Sequence, residues 1–347
     1  SLHHLKLFYF KGNLLIYNNM VKHHIYWWNL ENLFDIENSP RRSEFLNKHL
    51  GKELDGWNAT VLNQKITNLT LIISKFNNNQ GPDILGVCEV ENEFVIELLI
   101  ASMSAALNKN YAFVISEGDD KRGIDTALIY DKDKYGPEQS TFSLRIIKRN
   151  TTRDLFQVHI NTENGNKLVC ILNHWPSRSG GELESEPFRI MVAENLSYWI
   201  ERIYEEQGKD ANILLMGDFN DNPYNKSITS YLMAINNKAL VKSNRVRLKY
   251  FYNVMHKFLD AQIGTFVFGN EYNLLDQFMI SKSILSEKSE LPFKLSTAEI
   301  IAYPELTSGS YQKPVKFGRP NSSTFNTKGY SDHLPIKIVL NEKDTSV

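Results

Sequence analysis

The chain has 347 residues, 42% of them hydrophobic and 12% aromatic, which is enough for a large buried core. A formal net charge of -1 excludes a global field that would draw the protein onto nucleic acid or an acidic membrane, so any polyanion site has to be a local patch. No stretch approaches a membrane span, and Cys88 and Cys170, set in the apolar runs LGVCEV and LVCILN, read as small core residues without a CxxC pattern or disulfide framework.

In chain order, the opening SLHHLKLFYFKGNLLIYNNM starts with Ser, and Lys11 interrupts its apolar run, so it does not make a signal peptide. Met20 as the start implies a cytoplasmic protein; a leader already removed implies a secreted one. Residues 1–21 are read as an N-terminal extension, 22–342 as one domain and 343–347 as a tail, and a monomer is expected. IYWWNLENLF (Ile25 to Phe34) reads as a buried aromatic strand. Leu62, Ile66, Leu69, Ile73 and Phe76 recur at helical spacing behind Asn58 as a cap, and NNNQGP ends that helix. DILGVCEV is apolar throughout, as suits a strand covered on both faces. A second helix is expected over Phe94 to Met103.

YAFVIS, IDTALIY, TFSLRII, LFQVHIN and KLVCILN follow as strands. Glu186 to Glu206 reads as a helix with Met191, Leu196, Trp199, Ile200 and Ile203 on its apolar side. NILLMGDFN is another buried strand; after a less regular stretch come GTFVF, LLDQFMIS and the last strand, in GYSDHLPIKIVL. Helices alternating with some strands, and hairpins joining others, predict an α/β protein with mixed sheets.

Several of these strands meet polar residues at their ends: Asn29, Glu89, Asn173-His174, Asp218 and Asn220, Asp276, and the pair Asp332-His333. A carboxylate at the end of a buried strand is costly unless paired, hydrogen-bonded or on a metal. Its repetition predicts that the ends converge on one site. Neighbours on a strand point to opposite faces, so Asp332 and His333 can share a pocket only on an irregular turn, with which Gly329 and Pro335 are compatible. Oxygen ligands without Cys suit Mg²⁺ or Mn²⁺. Histidines beside acids suit proton transfer, and Arg178 offers a planar fork for phosphate. Together they are the equipment for hydrolysing a phosphate ester.

The segments WNLENLFD, GVCEVEN, NHWPSRSGGE, MGDFNDNP, LLDQFMIS and GYSDHLPI stand in the order seen in the endonuclease/exonuclease/phosphatase superfamily, which the chain resembles from about Ile25 to Leu340. The wording is most similar to that of its bacterial nuclease-type members. The resemblance implies a deoxyribonuclease I-like four-layered α/β sandwich: two mixed sheets packed face to face with helices outside. It implies Glu89 as the principal metal carboxylate, with Asn29 and Asp332 as further metal residues, and Mg²⁺ as cofactor with Mn²⁺ as a substitute. It further implies that His333, held by Asp276, contacts the scissile phosphate. Asp218 would then orient or deprotonate the attacking water, Asn220 would donate to the developing charge, His174 would protonate the leaving oxygen, and Arg178 would clamp a phosphate oxygen.

The implied activity is metal-dependent hydrolysis of DNA or RNA to 5′-phosphate ends. A phosphatase or phosphodiesterase on lipid, inositide or nucleotide is the alternative. GDFNDNP lacks the Tyr-Arg that follows GDxN in the inositide 5-phosphatases, and no membrane-inserting hairpin is visible. A non-catalytic binding module of the same fold is the alternative of another class. Partners are accordingly nucleic acid or another phosphodiester. LVKSNRVRLKYFYN (Leu240 to Asn253) and LRIIKRNTTR interleave basic and other residues as a nucleic-acid contact would, with a solvated edge as the alternative. Arg122 and Asp125 in KRGIDTALIY fit a salt bridge or a part in the site equally.

Overall fold

A computed structural model describes residues 9–10, 13–14, 20–116, 118, 123–136, 139–146, 153–245, 249–318 and 325–343. Its principal strands are β1 (Met20–Leu33), β2 (Ile84–Val90), β3 (Tyr111–Ser116), β4 (Asp125–Asp131), β5 (Ser140–Leu144), β6 (Leu155–Asn161) and β7 (Lys167–His174). They continue as β8 (Ile213–Asp218), β9 (Ala234–Ile235), β10 (Phe251–Asn253), β11 (Asp276–Ile280), β12 (Phe293–Ile300) and β13 (Ile336–Lys343). The long helices are α1 (Ala59–Ile73), α2 (Glu93–Leu107) and α3 (Glu182–Gln207).

Alternation along the strands builds the layers. On β1, Ile25 and Trp27 enter the core between the sheets, whereas Tyr26, Trp28 and Leu30 pack outward on α1 and α2. On β8, Leu214 and Met216 face the same inner core, and Ile213 and Leu215 pack on α3. The result is a six-stranded sheet, β12-β13-β1-β2-β4-β3, against a seven-stranded one, β9-β10-β11-β8-β7-β6-β5, with helices outside. The four-layered sandwich with mixed sheets is therefore as expected. Cys88 and Cys170 lie buried and unjoined in the inner core. Among the described residues no helix is long and apolar enough to cross a membrane.

Local signals explain most boundaries. Asn58 caps α1 by accepting from Thr60 N and Val61 N. That helix stops at Ile73, earlier than the apolar spacing suggests, and Asn77, Asn78 and Asn79 all take positive φ. Phe76 is still buried, stacked on Tyr26 with ring centroids 4.2 Å apart. Asn92 caps α2 from Val95 N, and α3 starts at Glu182, a turn before the expected Glu186. Strand β1 begins at Met20, inside the expected extension, and runs in register with β13 as far as Met20 opposite Lys343. The edge strand β12 was not expected: FKLSTAEI is half exposed and its register shifts between Leu295 and Thr297, so it shows no clean alternation.

Candidate active site

Each sheet has a parallel pair at its centre, β1 with β2 and β7 with β8. The C-terminal ends of a parallel pair lie at one end of the sheet, which sets Asn29 near Glu89 and His174 beside Asp218. Strands β11 and β13 run antiparallel to these, so their first residues arrive at the same end: Asp276 pairs with Asp218, and Ile336, just after the Asp332-His333 turn, pairs with Trp27. Gly217 permits the close approach of β8 to β7, since a Cβ there would stand 2.3 Å from Asn173 O.

Glu89 is aimed by a bulge. Cys88 pairs with Thr126 and Val90 with Asp125, so Glu89 is the extra residue, at φ 64°. Glu31, Asn32 and Asn220 share this left-handed backbone, at φ 51°, 59° and 51°. Four non-glycine residues in that region around one site make it a locally strained place.

The side chains interlock (Oδ and Oε here are carboxylate or amide oxygens). Asn29 Oδ1 accepts from Glu31 N at 3.0 Å, and its Nδ2 donates to Asp218 Oδ2 at 3.1 Å and to Glu89 Oε1 at 3.4 Å. This differs from the expected metal residue: the oxygen is engaged with backbone, and the amide N–H groups clamp two carboxylates. Asn32 N donates to the other oxygen of Glu89 at 2.9 Å. His174 Nε2 stands 3.6 Å from Glu89 and 3.8 Å from Asp218. Asn220 donates its backbone N–H to Asp218 Oδ1 at 2.9 Å and its Nδ2 to Trp175 O at 3.0 Å.

His333 Nδ1 bonds Asp276 Oδ2 at 2.6 Å, while Trp27 Nε1 donates to Asp276 Oδ1 at 2.9 Å. That leaves His333 Nε2 facing the site, 4.0 Å from both Asp218 Oδ2 and Asp332 Oδ1. Ser331 Oγ accepts from His333 N and donates to Asn29 O, and Trp28 Nε1 donates to His333 O, so the turn is tied to β1. Burial opposes a charge on His333, but the Asp276 carboxylate and its hydrogen bond, with Asp218 and Asp332, hold its pKa well above 6.5. Burial raises Asp218 to about 7; His333 pulls it down and Asp276 and Glu89 push it up.

Arg178 is the main departure. Its Nε donates to Asn220 O at 2.8 Å, and the rest of the guanidinium meets Asn225, Asn273, Asp221 and Glu182. It anchors the loop that carries Asn220, so the expected phosphate clamp is already engaged with protein oxygens. Glu91, next but one to Glu89, is buried in a bidentate pair with Arg42 at 2.7 Å on both oxygens. Tyr252 pairs with Ile280, four residues beyond Asp276 and about 13 Å along β11 by the strand rise. Phe251 and Tyr252 are also buried, so the described part of Leu240 to Asn253 lies at the far end of the sheet and not beside the site. Of LRIIKRNTTR, residues 147–152 lie outside the described residues, and Arg153 bonds His174 O and Trp175 O. Asp125 accepts from Gly118 N; Arg122 lies outside the described residues.

Lys65 and Glu31 form a buried pair behind the site and were not singled out from sequence. The lysine had a signal: it sits three residues after Leu62 and four before Leu69, on the buried stripe of α1.

Sequence comparison with curated proteins finds no match. Solved structures share the fold. An endonuclease/exonuclease/phosphatase family protein from Bacteroides thetaiotaomicron superposes with TM-score 0.54 at 15% identity, covering 94% of this chain and 99% of its own. A mannosyl-6-phosphatase from Bacteroides thetaiotaomicron VPI-5482 gives 0.53 at 16%, covering 92% and 99%. The human Nocturnin catalytic domain gives 0.51 at 16%, covering 93% and 96%. The sequence profile described as "Endonuclease/Exonuclease/phosphatase family" matches residues 24–342. The chain belongs to the endonuclease/exonuclease/phosphatase family, whose members are hydrolases acting on phosphoester bonds.

Proposed function

We propose that the protein is a divalent-metal-dependent phosphodiesterase that cleaves nucleic acid to 5′-phosphate ends by attack of water on phosphorus. The observation that carries this reading is the pair Asp218 and His333, facing each other at 4.0 Å with Asp276 behind the histidine. One group accepts a proton near neutral pH while the other stays charged, which suits water activation beside an anion. Asp218 takes the proton of the attacking water. His333 Nε2–H donates to the phosphoryl oxygens, where negative charge grows, and so does the second N–H of the Asn220 amide, whose first is on Trp175 O. His174 delivers a proton to the leaving oxygen, and Arg178 keeps Asn220 in place.

The donor set fits Mg²⁺ or Mn²⁺. Among the described residues no three His, Cys, Asp or Glu side chains close on a metal by themselves. Mg²⁺ asks for less, one or two carboxylates and several waters. Glu89 at its bulge and Asp332, whose side chain is 35% exposed, are the carboxylates that would hold it. When bound, such an ion supplies positive charge to the phosphate oxygens.

Support for a nucleic-acid substrate comes from the rim. A two-stranded ribbon pairs Phe266–Phe268 with Glu271–Asn273; Phe266 makes a backbone bridge to His333 and its ring lies 4.9 Å away, while Phe268, two residues on, shares its face of the ribbon and is 73% exposed. Tyr224, 60% exposed, follows the Asp218–Asn222 loop, and Asn222 Nδ2 bonds Asn273 Oδ1 of that ribbon at 3.0 Å. Exposed rings flanking a phosphate site suit stacking of a base, worth about 1–3 kcal/mol per base.

The test is hydrolysis of plasmid DNA, single-stranded RNA and bis-p-nitrophenyl phosphate with Mg²⁺ or Mn²⁺, with and without EDTA. Metal-dependent nicking is the expected result, abolished by EDTA. Cleavage of the small diester with both nucleic acids intact would move the substrate to smaller phosphoesters; no hydrolysis under any metal would leave a binding module. Phe268→Ala is expected to raise KM for an oligonucleotide about tenfold, from the lost stacking, while leaving hydrolysis of the small diester unchanged. Equal effects on both substrates would remove the stacking role.

A further inference from the structure

Among the described residues Lys65 is the lysine with a wholly enclosed side chain. Its ammonium donates to Glu31 O at 3.0 Å and to Tyr330 O at 2.7 Å, and lies 3.9 Å from Glu31 Oε2. Glu31 in turn accepts from Phe317 N at 2.8 Å and Gly318 N at 3.2 Å. From the next turn of the same helix, Asn68 Nδ2 donates to Gly329 O at 2.7 Å and Thr327 O at 2.8 Å.

A buried ion pair is a weak source of stability, since an apolar pair of similar volume often does as well. Two carbonyls reached at once are a different matter. One belongs to the left-handed bend two residues after Asn29, and the other to the residue before Ser331, Asp332 and His333. A three-donor ammonium can join both and still face a carboxylate.

We infer that Lys65 is a positioning residue: from the helical layer it fixes the Asp332-His333 turn against the Asn29–Glu31 bend, and so sets the aim of His333 into the site. This rests on the reading of that site as one that hydrolyses phosphodiesters. Lys65 touches no substrate; it acts through the backbone of Tyr330.

The test compares Lys65→Met, Glu31→Gln and the double variant. Measured are kcat and KM on bis-p-nitrophenyl phosphate with Mg²⁺, thermal melting, and hydrogen exchange of the amides of residues 330–334. Lys65→Met is expected to lower kcat about 10–100-fold, the usual effect of losing a group that orients a catalytic one, with little change in KM. Amides 330–334 exchange faster. Glu31→Gln alone retains kcat, because the carbonyl bonds remain. The double variant, which has no buried charge, regains melting temperature but not kcat. Recovery of kcat together with melting temperature would reduce Lys65 to a structural counter-ion and overturn the inference, as would wild-type kcat and exchange in Lys65→Met. If Lys65→Met does not fold, Glu31→Gln decides: a loss of kcat there overturns the inference. If the wild type hydrolyses nothing, the proposed function fails by itself, and the exchange of residues 330–334 still tests Lys65.

Discussion

Asp276→Asn is expected to lower kcat by about 10²–10⁴-fold, the range of general acid–base effects, and to shift the alkaline limb of the pH–rate profile downward. The carboxylate accepts from two buried donors, Trp27 Nε1 and His333 Nδ1. An amide has one acceptor oxygen, so either the indole or the imidazole would face an N–H group. The charge is lost as well. His333 keeps its proton well above pH 6.5 because Asp276, then Asp218 and Asp332, outweigh its burial. Without Asp276 burial gains, and the ring loses its proton at lower pH. A pH–rate profile on the small diester checks the shift, and an unmoved alkaline limb would refute it. His333→Ala should lose a similar factor in kcat without any such limb. The linkage has a defined sign: a raised folded pKa on histidine contributes its full stability below pH 6.5 and loses it only as pH climbs through the higher folded value.

The largest stability effect is expected at Arg42. Its guanidinium holds both oxygens of Glu91 and donates to Asp35 O, Ile36 O and Glu37 O, with both side chains essentially enclosed. Arg42→Ala leaves a buried carboxylate and several carbonyls without their donor, and should cost about 3–5 kcal/mol in urea unfolding. Burial already pushes Glu91 upward even though Arg42 opposes it. In the variant the shift grows, so the folded state keeps a proton that the unfolded chain releases near 4.5, and the loss should increase as pH rises above that value. Replacing both partners by apolar residues should cost less than Arg42→Ala alone. A double variant as unstable as the single one would show that the carbonyl bonds, and not the pairing, carry the effect.

The sequence made the strand-end residues legible because each breaks an apolar run. Glu89, Asp218 and His333 were visible on that ground, and the ordered motifs supplied the fold. What stayed hidden depends on geometry that spacing does not encode. Asn29 could be read as an amide near the metal, but only the positive-φ bend at Glu31 shows which of its atoms faces the carboxylates. Arg178 was read as a fork for phosphate; its partners Asn225 and Asn273, which engage it instead, lie some 47 and 95 residues away along the chain. The buried pairing of Glu91 was not visible because Arg42, its partner, is 49 positions off. The edge strand β12 was missed for want of alternation, and the basic run at Leu240 to Asn253 was placed by composition, which says nothing about the end of a sheet on which it falls.

The order of strands has a consequence for when the candidate site is completed. Strand β13 follows the other strands of its sheet in the chain, yet lies inside it, between β12 and β1, and directly after the Asp332-His333 turn. On a ribosome, residues 20–300 would emerge with the place of β13 open, β1 lacking one neighbour, and neither Asp332 nor His333 yet in position. The site is therefore incomplete until residues 336–343 have left the exit tunnel and inserted. Pairing strands so distant in sequence is also slow. Synthesis thus carries its own delay, with His333 brought into position by a late step of folding.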